Sequence, residues 1–357
     1  MRSKRSLSFV VRIEDAIALF FFLLNLVVLL ITREVRQENL DPTDVLVILP
    51  AVCLLLGKQV ITYFLSPTKG REGSGEDLRE FLRPYWRIVR DWFPFLIILL
   101  MYYSLWGNAT HWWVTTDRDA QLAALDQKWF GFQASVALQR WIRPWLTSWM
   151  EFAYAFHLLN IPIVACFLYL RRSHVRFREM MCGLIVVSFL GLVGYLLVPA
   201  VGPLYFLRDR YSVALLQPVE AFNRQMQFLD FARIRRDVFP SLHVGISFVV
   251  WLFAYRNSRR LFWCLAPFIV SLWISTVYLR YHYLVDCLAG LVLAPISCWL
   301  ANGLVRRFGE ISLSWAFPEG RVSRLVGARP SEQKGLPEAQ RPAAPAVKAQ
   351  DGWEERL

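Results

Sequence analysis

Residues 275–286 read Ser275-Thr276-Val277-Tyr278-Leu279-Arg280-Tyr281-His282-Tyr283-Leu284-Val285-Asp286, and an apolar run follows them as far as residue 303. A run of about 20 residues is what a helix needs to span a bilayer. His282 and Asp286 therefore stand at one end of a predicted span, where an ionisable side chain costs about 2.5–3.5 kcal/mol on insertion scales. A second motif, Pro240-Ser241-Leu242-His243, opens another apolar run. Ionisable groups in this setting predict a functional site at a membrane surface.

The composition is typical of a membrane protein. Of the 357 residues, 56% are hydrophobic and 15% are aromatic, whereas soluble domains are about 45–50% apolar. The excess lies in blocks long enough to cross a bilayer, which excludes a secreted soluble enzyme. We predict an all-α fold, a polytopic membrane helix bundle with about eight transmembrane helices and a six-helix catalytic core.

The length of the apolar runs locates the predicted spans. They cover residues 15–32, 44–65, 92–108, 145–170, 180–200, 241–255, 261–279 and 283–303. Residues 121–132 read as an interfacial amphipathic helix. Three parts are expected: residues 1–91 with two helices and a basic loop, residues 92–305 with the catalytic core, and residues 306–357 as a disordered cytoplasmic tail.

The net charge of +12 comes mainly from Lys and Arg in short loops between the apolar runs. Every second connection is strongly basic, as the positive-inside rule predicts for cytoplasmic loops. This pattern explains the charge without nucleic acid, so no nucleic-acid partner is expected. It predicts that both termini are cytoplasmic. It also predicts that His243 and the stretch 280–286 meet on the extracytoplasmic side, periplasmic or lumenal.

The connection 201–240 departs from this pattern, because it carries six arginines although it is predicted to lie outside. An anionic ligand is the simplest compensation for such a basic outer loop. Partial pairing with local acids, together with contacts to lipid headgroups, is the alternative. Arg208, Arg233 and Arg236 are candidate phosphate-binding residues.

The two motifs together contain the groups that phosphoryl transfer requires. His282 and Asp286 are spaced i, i+4, so a carboxylate can fix the imidazole tautomer and leave the other nitrogen as a nucleophile. Ser241 and His243 lie at a predicted helix start, where free N–H groups suit phosphate. In a metal-independent reaction through phosphohistidine, His282 would attack phosphorus and His243 would protonate the leaving oxygen. Ser241 and Arg280 would hold the other phosphate oxygens.

These residues resemble the motifs of the type 2 phosphatidic acid phosphatase superfamily, which also includes vanadium haloperoxidases. Residues 240–243 match its PSxH motif, and Ser275, His282 and Asp286 match its final motif, S-R-x5-H-x3-D. The resemblance covers roughly residues 92–303. It implies that His282 is the nucleophile, Asp286 its orienting partner and His243 the leaving-group acid, with Ser241 as a phosphate contact.

Two features depart from the superfamily pattern. Thr276 stands where the final motif has Arg, and no K-x6-R-P motif precedes His243. The local sequence looks instead like the inositol phosphorylceramide synthase-like branch, in which Arg280 is the natural replacement cation. That likeness rests on residues 275–283, on Leu125-Asp126-Gln127-Lys128-Trp129-Phe130-Gly131 and on Pro199-Ala200-Val201-Gly202-Pro203.

Polar residues elsewhere are weaker candidates. His157 and Asn160 lie within a predicted span and could line a substrate passage or bind a headgroup; a buried interhelical hydrogen bond is the alternative. Asp126 is expected to cap or pair locally. The six cysteines form no CxxC pair and no carboxylate or Cys/His cluster offers a metal site, so neither metal nor cofactor is expected.

The sequence therefore predicts a membrane-embedded enzyme that cleaves a lipid phosphate ester on the extracytoplasmic face. Its partners would be a phosphorylated lipid, the bilayer and, if it transfers the phospho-headgroup, a ceramide-like lipid alcohol. Hydrolysis by water is the competing outcome, since water needs no further residues. A lipid or polyprenyl-phosphate transporter without bond cleavage is the alternative of a different class, and a haloperoxidase is the third. The oligomeric state is left open.

Overall fold

The computed structural model describes residues 6–36, 61, 82, 85–86, 88–93, 116–215 and 236–316. These residues are largely helical, as the predicted all-α class requires. One two-stranded sheet, β1 (Ser6–Arg12) with β2 (Glu310–Ala316), is an addition that the sequence did not predict. Of the described residues, those between 8 and 313 belong to one compact unit, and residues 6–7 and 314–316 belong to a second.

The helices of the described residues are numbered here along the chain. In chain order they are α1 (Ile13–Arg36), α2 (Asp119–Phe130), α3 (Ala134–Ala137), α4 (Pro144–Ala155), α5 (His157–Leu170), α6 (His174–Leu197), α7 (Pro203–Phe206), α8 (Leu242–Asn257), α9 (Arg259–Tyr278) and α10 (Leu284–Phe308). Two 3₁₀ turns lie at Leu138–Trp141 and Arg208–Arg210.

Within the described ranges, α6, α9 and α10 are long and apolar enough to cross a membrane, and the pair α4 and α5 is a fourth candidate if it forms one broken span. The predicted span 15–32 lies inside α1. The predicted spans 44–65 and 92–108 fall almost entirely outside the described residues. The count of eight spans and the six-helix core therefore remain predictions.

The predicted span 145–170 is not one straight helix. It divides into α4 and α5, whose axes differ by 47°. Pro162 lies one turn into α5 and has no N–H to donate to the carbonyl of Leu158, which weakens the helix near the break. The bend places His157 at the first position of α5, where the chain changes direction.

A close helix crossing brings the two sequence motifs together. Helix α8 packs against α6, α9 and α10, and Gly290 of α10 lies directly beside the start of α8. A Cβ at Gly290 would meet the Ser241 carbonyl oxygen at 2.5 Å and the Gly245 nitrogen at 3.1 Å. The absence of a side chain allows the Ser241 N–H to donate to the Asp286 carbonyl oxygen at 3.0 Å.

Buried ion pairs join the helices at the opposite end of the bundle. The Arg178 guanidinium lies 2.6 Å from the Glu14 carboxylate, linking α6 to α1. Glu179 pairs with Arg176 at 2.8 Å and with Arg306 of α10 at 3.5 Å. Because Glu14 and Glu179 are both buried, these partners are needed to offset the loss of hydration of the carboxylates.

Candidate active site

The site forms in the turn between α9 and α10. The Thr276 carbonyl oxygen accepts both the Tyr281 N–H at 2.9 Å and the His282 N–H at 3.0 Å, which closes the turn. Arg280 takes a left-handed backbone conformation within it, with φ of 69°. The Thr276 hydroxyl is itself buried and donates to the Trp273 carbonyl. Thr276, which stands where the superfamily motif has Arg, is thus part of the C-terminal end of α9.

The structure brings the two histidines together, as the sequence predicted. His282 Nε2 lies 3.4 Å from His243 Nδ1, and the ring centroids are 5.6 Å apart. His282 is buried, whereas His243 is half-buried. Two imidazoles from distant parts of the chain therefore face one another at the meeting point of α8 and α10.

The tautomer of His282 follows from its second contact. Its Nδ1 lies 2.9 Å from the Val238 carbonyl oxygen. A carbonyl oxygen can only accept, so Nδ1 carries the proton and the lone pair of Nε2 points towards His243. The backbone of residue 238 therefore prepares Nε2 as a nucleophile.

Asp286 does not make the hydrogen bond that the spacing predicted. Its Oδ2 is 3.6 Å from His282 Nδ1, beyond normal hydrogen-bond distance. The same oxygen accepts the Tyr283 N–H at 2.8 Å and so caps the first turn of α10. The other oxygen, Oδ1, is buried without a hydrogen-bond partner. Asp286 thus lies close enough to influence the imidazole through its charge, while the Val238 carbonyl accepts the proton.

A second carboxylate secures the start of α10 from outside the helix. Asp126 of α2 is buried, and its two oxygens accept the N–H groups of Leu284 and Val285 at 3.0 and 2.9 Å. Burial raises the pKa of Asp126, while the two N–H donors lower it. Asp126 does cap a helix, but the prediction of a local partner is wrong, because the capped residue Leu284 lies 158 positions along the chain.

Asp119, two turns earlier on the same face of α2, holds the outer loop against the same region. It accepts the N–H groups of Val201 and Gly202 at 2.9 and 2.8 Å and the Tyr283 hydroxyl at 2.9 Å. Gly202 has φ of 94°, and a Cβ there would meet the Tyr281 carbonyl oxygen at 2.8 Å. Only glycine allows this approach. Helix α2 therefore fixes both the outer loop and the turn that carries His282.

Arg280, the predicted replacement cation, is buried beneath the outer loop. Its guanidinium carbon lies 3.8 Å from the centre of the Tyr211 ring, and Nη2 donates to the Val213 carbonyl. Burial lowers the pKa of Arg280 from its usual value. Its Nε is buried without a hydrogen-bond partner. Nη2 of the guanidinium therefore has a hydrogen-bond acceptor, whereas Nε has none among the described residues.

The other predicted phosphate contacts differ in their surroundings. Ser241 is fully buried, and its hydroxyl has no hydrogen-bond partner. Arg236 is buried beside Asp117, with 2.7 Å between Nε and Oδ1. Arg208 is exposed on a 3₁₀ turn, with Nε 3.9 Å from the Asp209 carboxylate. Arg233 lies outside the described residues.

Two ring side chains of the bent span lie close to His243. The Tyr154 ring stacks on the His243 ring at 4.6 Å, and the His157 ring lies 4.7 Å from it. Asn160 follows one turn later and is fully buried. Among the residues that the structure describes, no group of three or more His, Cys, Asp or Glu side chains could hold a metal ion.

These features define a helical membrane protein with a two-histidine site between helix ends. The PAP2 superfamily model matches residues 120–300, just over half of the chain, and the chain belongs to this superfamily. A PA-phosphatase related-family protein of Dictyostelium discoideum is 30% identical over 136 residues, a match that covers 36% of this chain and 24% of the relative. The chain thus matches about a quarter of that protein's length. No solved structure matches the chain. Superfamily membership suggests a phosphatase-type enzyme.

Proposed function

We propose that this protein is an integral membrane enzyme that cleaves a lipid phosphate ester through a phosphohistidine. His282 Nε2 attacks phosphorus, the bond from phosphorus to the leaving oxygen breaks, and that oxygen takes a proton from His243. In the second step, water or a lipid alcohol gives its proton to His243 and bonds to phosphorus, while the bond from phosphorus to nitrogen breaks. Both histidines end in their starting states.

One observation carries this proposal. The proton on His282 Nδ1 is directed to the Val238 carbonyl, and Nε2 faces His243 Nδ1 at 3.4 Å. A purely structural histidine does not need a second imidazole at its free nitrogen. Once phosphorus bonds to Nε2, the ring becomes cationic, and the Asp286 carboxylate at 3.6 Å favours that charge.

Unsatisfied donors near the histidines support a phosphate-binding role. The Ser241 hydroxyl and the Arg280 Nε are buried without partners, which costs free energy unless a ligand accepts from them. We assign both to the non-bridging phosphate oxygens. Arg236 and the candidates Arg208 and Arg233 would add positive charge around the site, with Arg236 the most buried of the described pair.

The charge distribution supports an extracytoplasmic site. His282 follows the end of α9 and precedes the start of α10. The opposite ends of these helices carry Arg259 and Arg260 on α9 and Arg306 and Arg307 on α10. Under the positive-inside rule those ends face the cytoplasm, so the site faces the periplasm or lumen and both termini are cytoplasmic.

Two stretches favour transfer to a lipid alcohol over simple hydrolysis. The sequence likeness to the inositol phosphorylceramide synthase-like branch includes residues 125–131 and 199–203. Asp126 and Gly202, one from each stretch, both lie against the segment that carries His282. Both stretches that resemble this branch therefore contact the segment that carries the proposed nucleophile, which supports a ceramide-like acceptor.

Purified protein tested against a panel of lipids will decide the reaction. Phosphatidic acid and phosphatidylinositol serve as donors, with or without fluorescent ceramide, and the products are separated by thin-layer chromatography. We expect a phosphorylated ceramide product that His282→Ala does not form. Inorganic phosphate from phosphatidic acid, or inositol phosphate from phosphatidylinositol, as the sole product would exclude the transferase. Donor binding without any product would favour the transporter.

A further inference from the structure

Asn160 is a polar side chain that the described fold leaves without a partner. It is fully buried in α5, and neither its Oδ1 nor its Nδ2 makes a hydrogen bond. The interhelical hydrogen bond that commonly explains such a residue in a membrane helix is thus not made. His157 Nδ1 is also buried without a hydrogen-bond partner.

His157 lies beside the histidine that moves the proton in the proposed reaction, and Asn160 follows it in the same helix. They are spaced i, i+3 and so share one face of α5. The His243 ring lies 4.7 Å from the His157 ring and 5.6 Å from the His282 ring. A ligand held by His157 would therefore lie next to the base.

The chemistry of this face suits a neutral hydroxyl or amide. The Asn160 amide offers a donor and an acceptor, and a neutral imidazole offers one of each. Between residues 144 and 170 the one Asp, Glu, Lys or Arg is Glu151, an anion. This span therefore offers no Lys or Arg that could bind phosphate. The surrounding span is apolar, so such a ligand would arrive from the bilayer.

We propose that His157 and Asn160 form the binding site for the polar head of a lipid alcohol, the acceptor in the second step. This assignment rests on the proposed function, because it gives the alcohol whose proton His243 removes. Its hydroxyl would lie next to His243, and its chains would extend into the bilayer along the bent span.

Photo-crosslinking tests this site without requiring turnover. Full-length protein in lipid nanodiscs is irradiated with a photoactivatable ceramide and, separately, a photoactivatable diacylglycerol. We expect at least one probe to label the wild type, and Asn160→Leu to reduce that labelling about tenfold, the effect of losing a hydrogen-bond pair. A ceramide without its 1-hydroxyl should compete about tenfold less well than ceramide in the wild type and equally in Asn160→Leu.

The matched control is Asn302→Leu. Asn302 is a partly buried asparagine of a different helix, also with an unpaired Oδ1, and it lies about 24 Å along α10 from Asp286. Its substitution should leave labelling and activity unchanged. The thermal midpoint of Asn160→Leu should equal or exceed that of the wild type, since a leucine replaces unpaired polar atoms. A lower midpoint would mean that Asn160 is structural and would overturn the proposal.

Two further results separate this site from the reaction itself. His282→Ala should be labelled as strongly as the wild type. A variant that loses activity but is still labelled has therefore lost the nucleophile and not the acceptor site. His157→Phe, a second variant, should weaken labelling as Asn160→Leu does. Labelling by neither probe, or labelling that both variants retain, would show that no lipid alcohol binds here.

Discussion

Replacing Asp286 with Asn separates the two roles that the structure gives to this carboxylate. An asparagine oxygen can still accept the Tyr283 N–H, which Asp286 Oδ2 accepts at 2.8 Å. The substitution removes only the negative charge, 3.6 Å from His282 Nδ1. Because the Val238 carbonyl fixes the tautomer, Asp286→Asn should leave Nε2 oriented but less stabilised when the ring becomes cationic.

The size of the effect follows from that distance. Two unit charges 3.6 Å apart interact by about 4–5 kcal/mol at an effective dielectric constant of about 20. The carboxylate's own burial offsets part of this gain. We therefore expect kcat to fall about 10²- to 10³-fold, at about 1.4 kcal/mol per factor of ten.

The assay is single-turnover release of labelled headgroup by purified Asp286→Asn and Asp286→Ala. Alanine also removes the cap on α10, so it should lose about 1 kcal/mol more unfolding free energy than asparagine. The two variants should nevertheless share the same loss of rate. A kcat for Asp286→Asn within about threefold of the wild type would refute the electrostatic role.

Three further predictions concern the outer loop, the start of α10 and the absence of a metal requirement. In a denaturation assay, Gly202→Ala should lower the unfolding free energy by about 2–4 kcal/mol, because its backbone has a positive φ and the added Cβ would contact the Tyr281 carbonyl. Gly303→Ala is the control: its Cβ would meet nothing within 4 Å, so the substitution should be neutral or slightly stabilising. Asp126→Ala should cost about 2–4 kcal/mol by leaving two N–H groups of α10 unpaired. Burial raises the pKa of Asp126, so the folded state binds the carboxyl proton more tightly than the unfolded state does. The difference in unfolding free energy between the wild type and Asp126→Ala should therefore widen as the pH falls. A difference that does not change with pH would contradict the raised pKa. Activity should survive excess EDTA, and loss that a divalent ion restores would contradict the metal-independent reaction.

The sequence predicted the parts of the site that depend on spacing and charge. We expected His243 and His282 to lie together from two signals: the i, i+4 spacing of His282 and Asp286, and the alternation of basic loops. In the structure, His282 Nε2 lies 3.4 Å from His243 Nδ1. Apolar run length located the helices that follow both motifs. These signals act within a single helix or a whole membrane span, so they need no knowledge of tertiary contacts.

The remaining features depend on contacts that a sequence does not display. Any residue can offer a backbone carbonyl, so nothing about Val238 distinguishes it as the acceptor for His282 Nδ1. Asp126 is expected from the sequence to pair locally and Asp119 carries no expectation, yet both carboxylates are buried against backbone N–H groups of distant segments. The spacing of Asp126 and Asp119 on one face of α2 is a signal that could have predicted a shared buried surface.

The central claim is that phosphorus becomes bonded to His282, and trapping that bond tests it most directly. Purified protein is mixed with a phospholipid carrying labelled phosphorus, quenched in alkali within milliseconds and mapped by mass spectrometry. We predict an alkali-stable, acid-labile label on His282 in the wild type and no label in His282→Ala. Product formation at the wild-type rate with no label on His282 at any time, or a label on another residue, would contradict it.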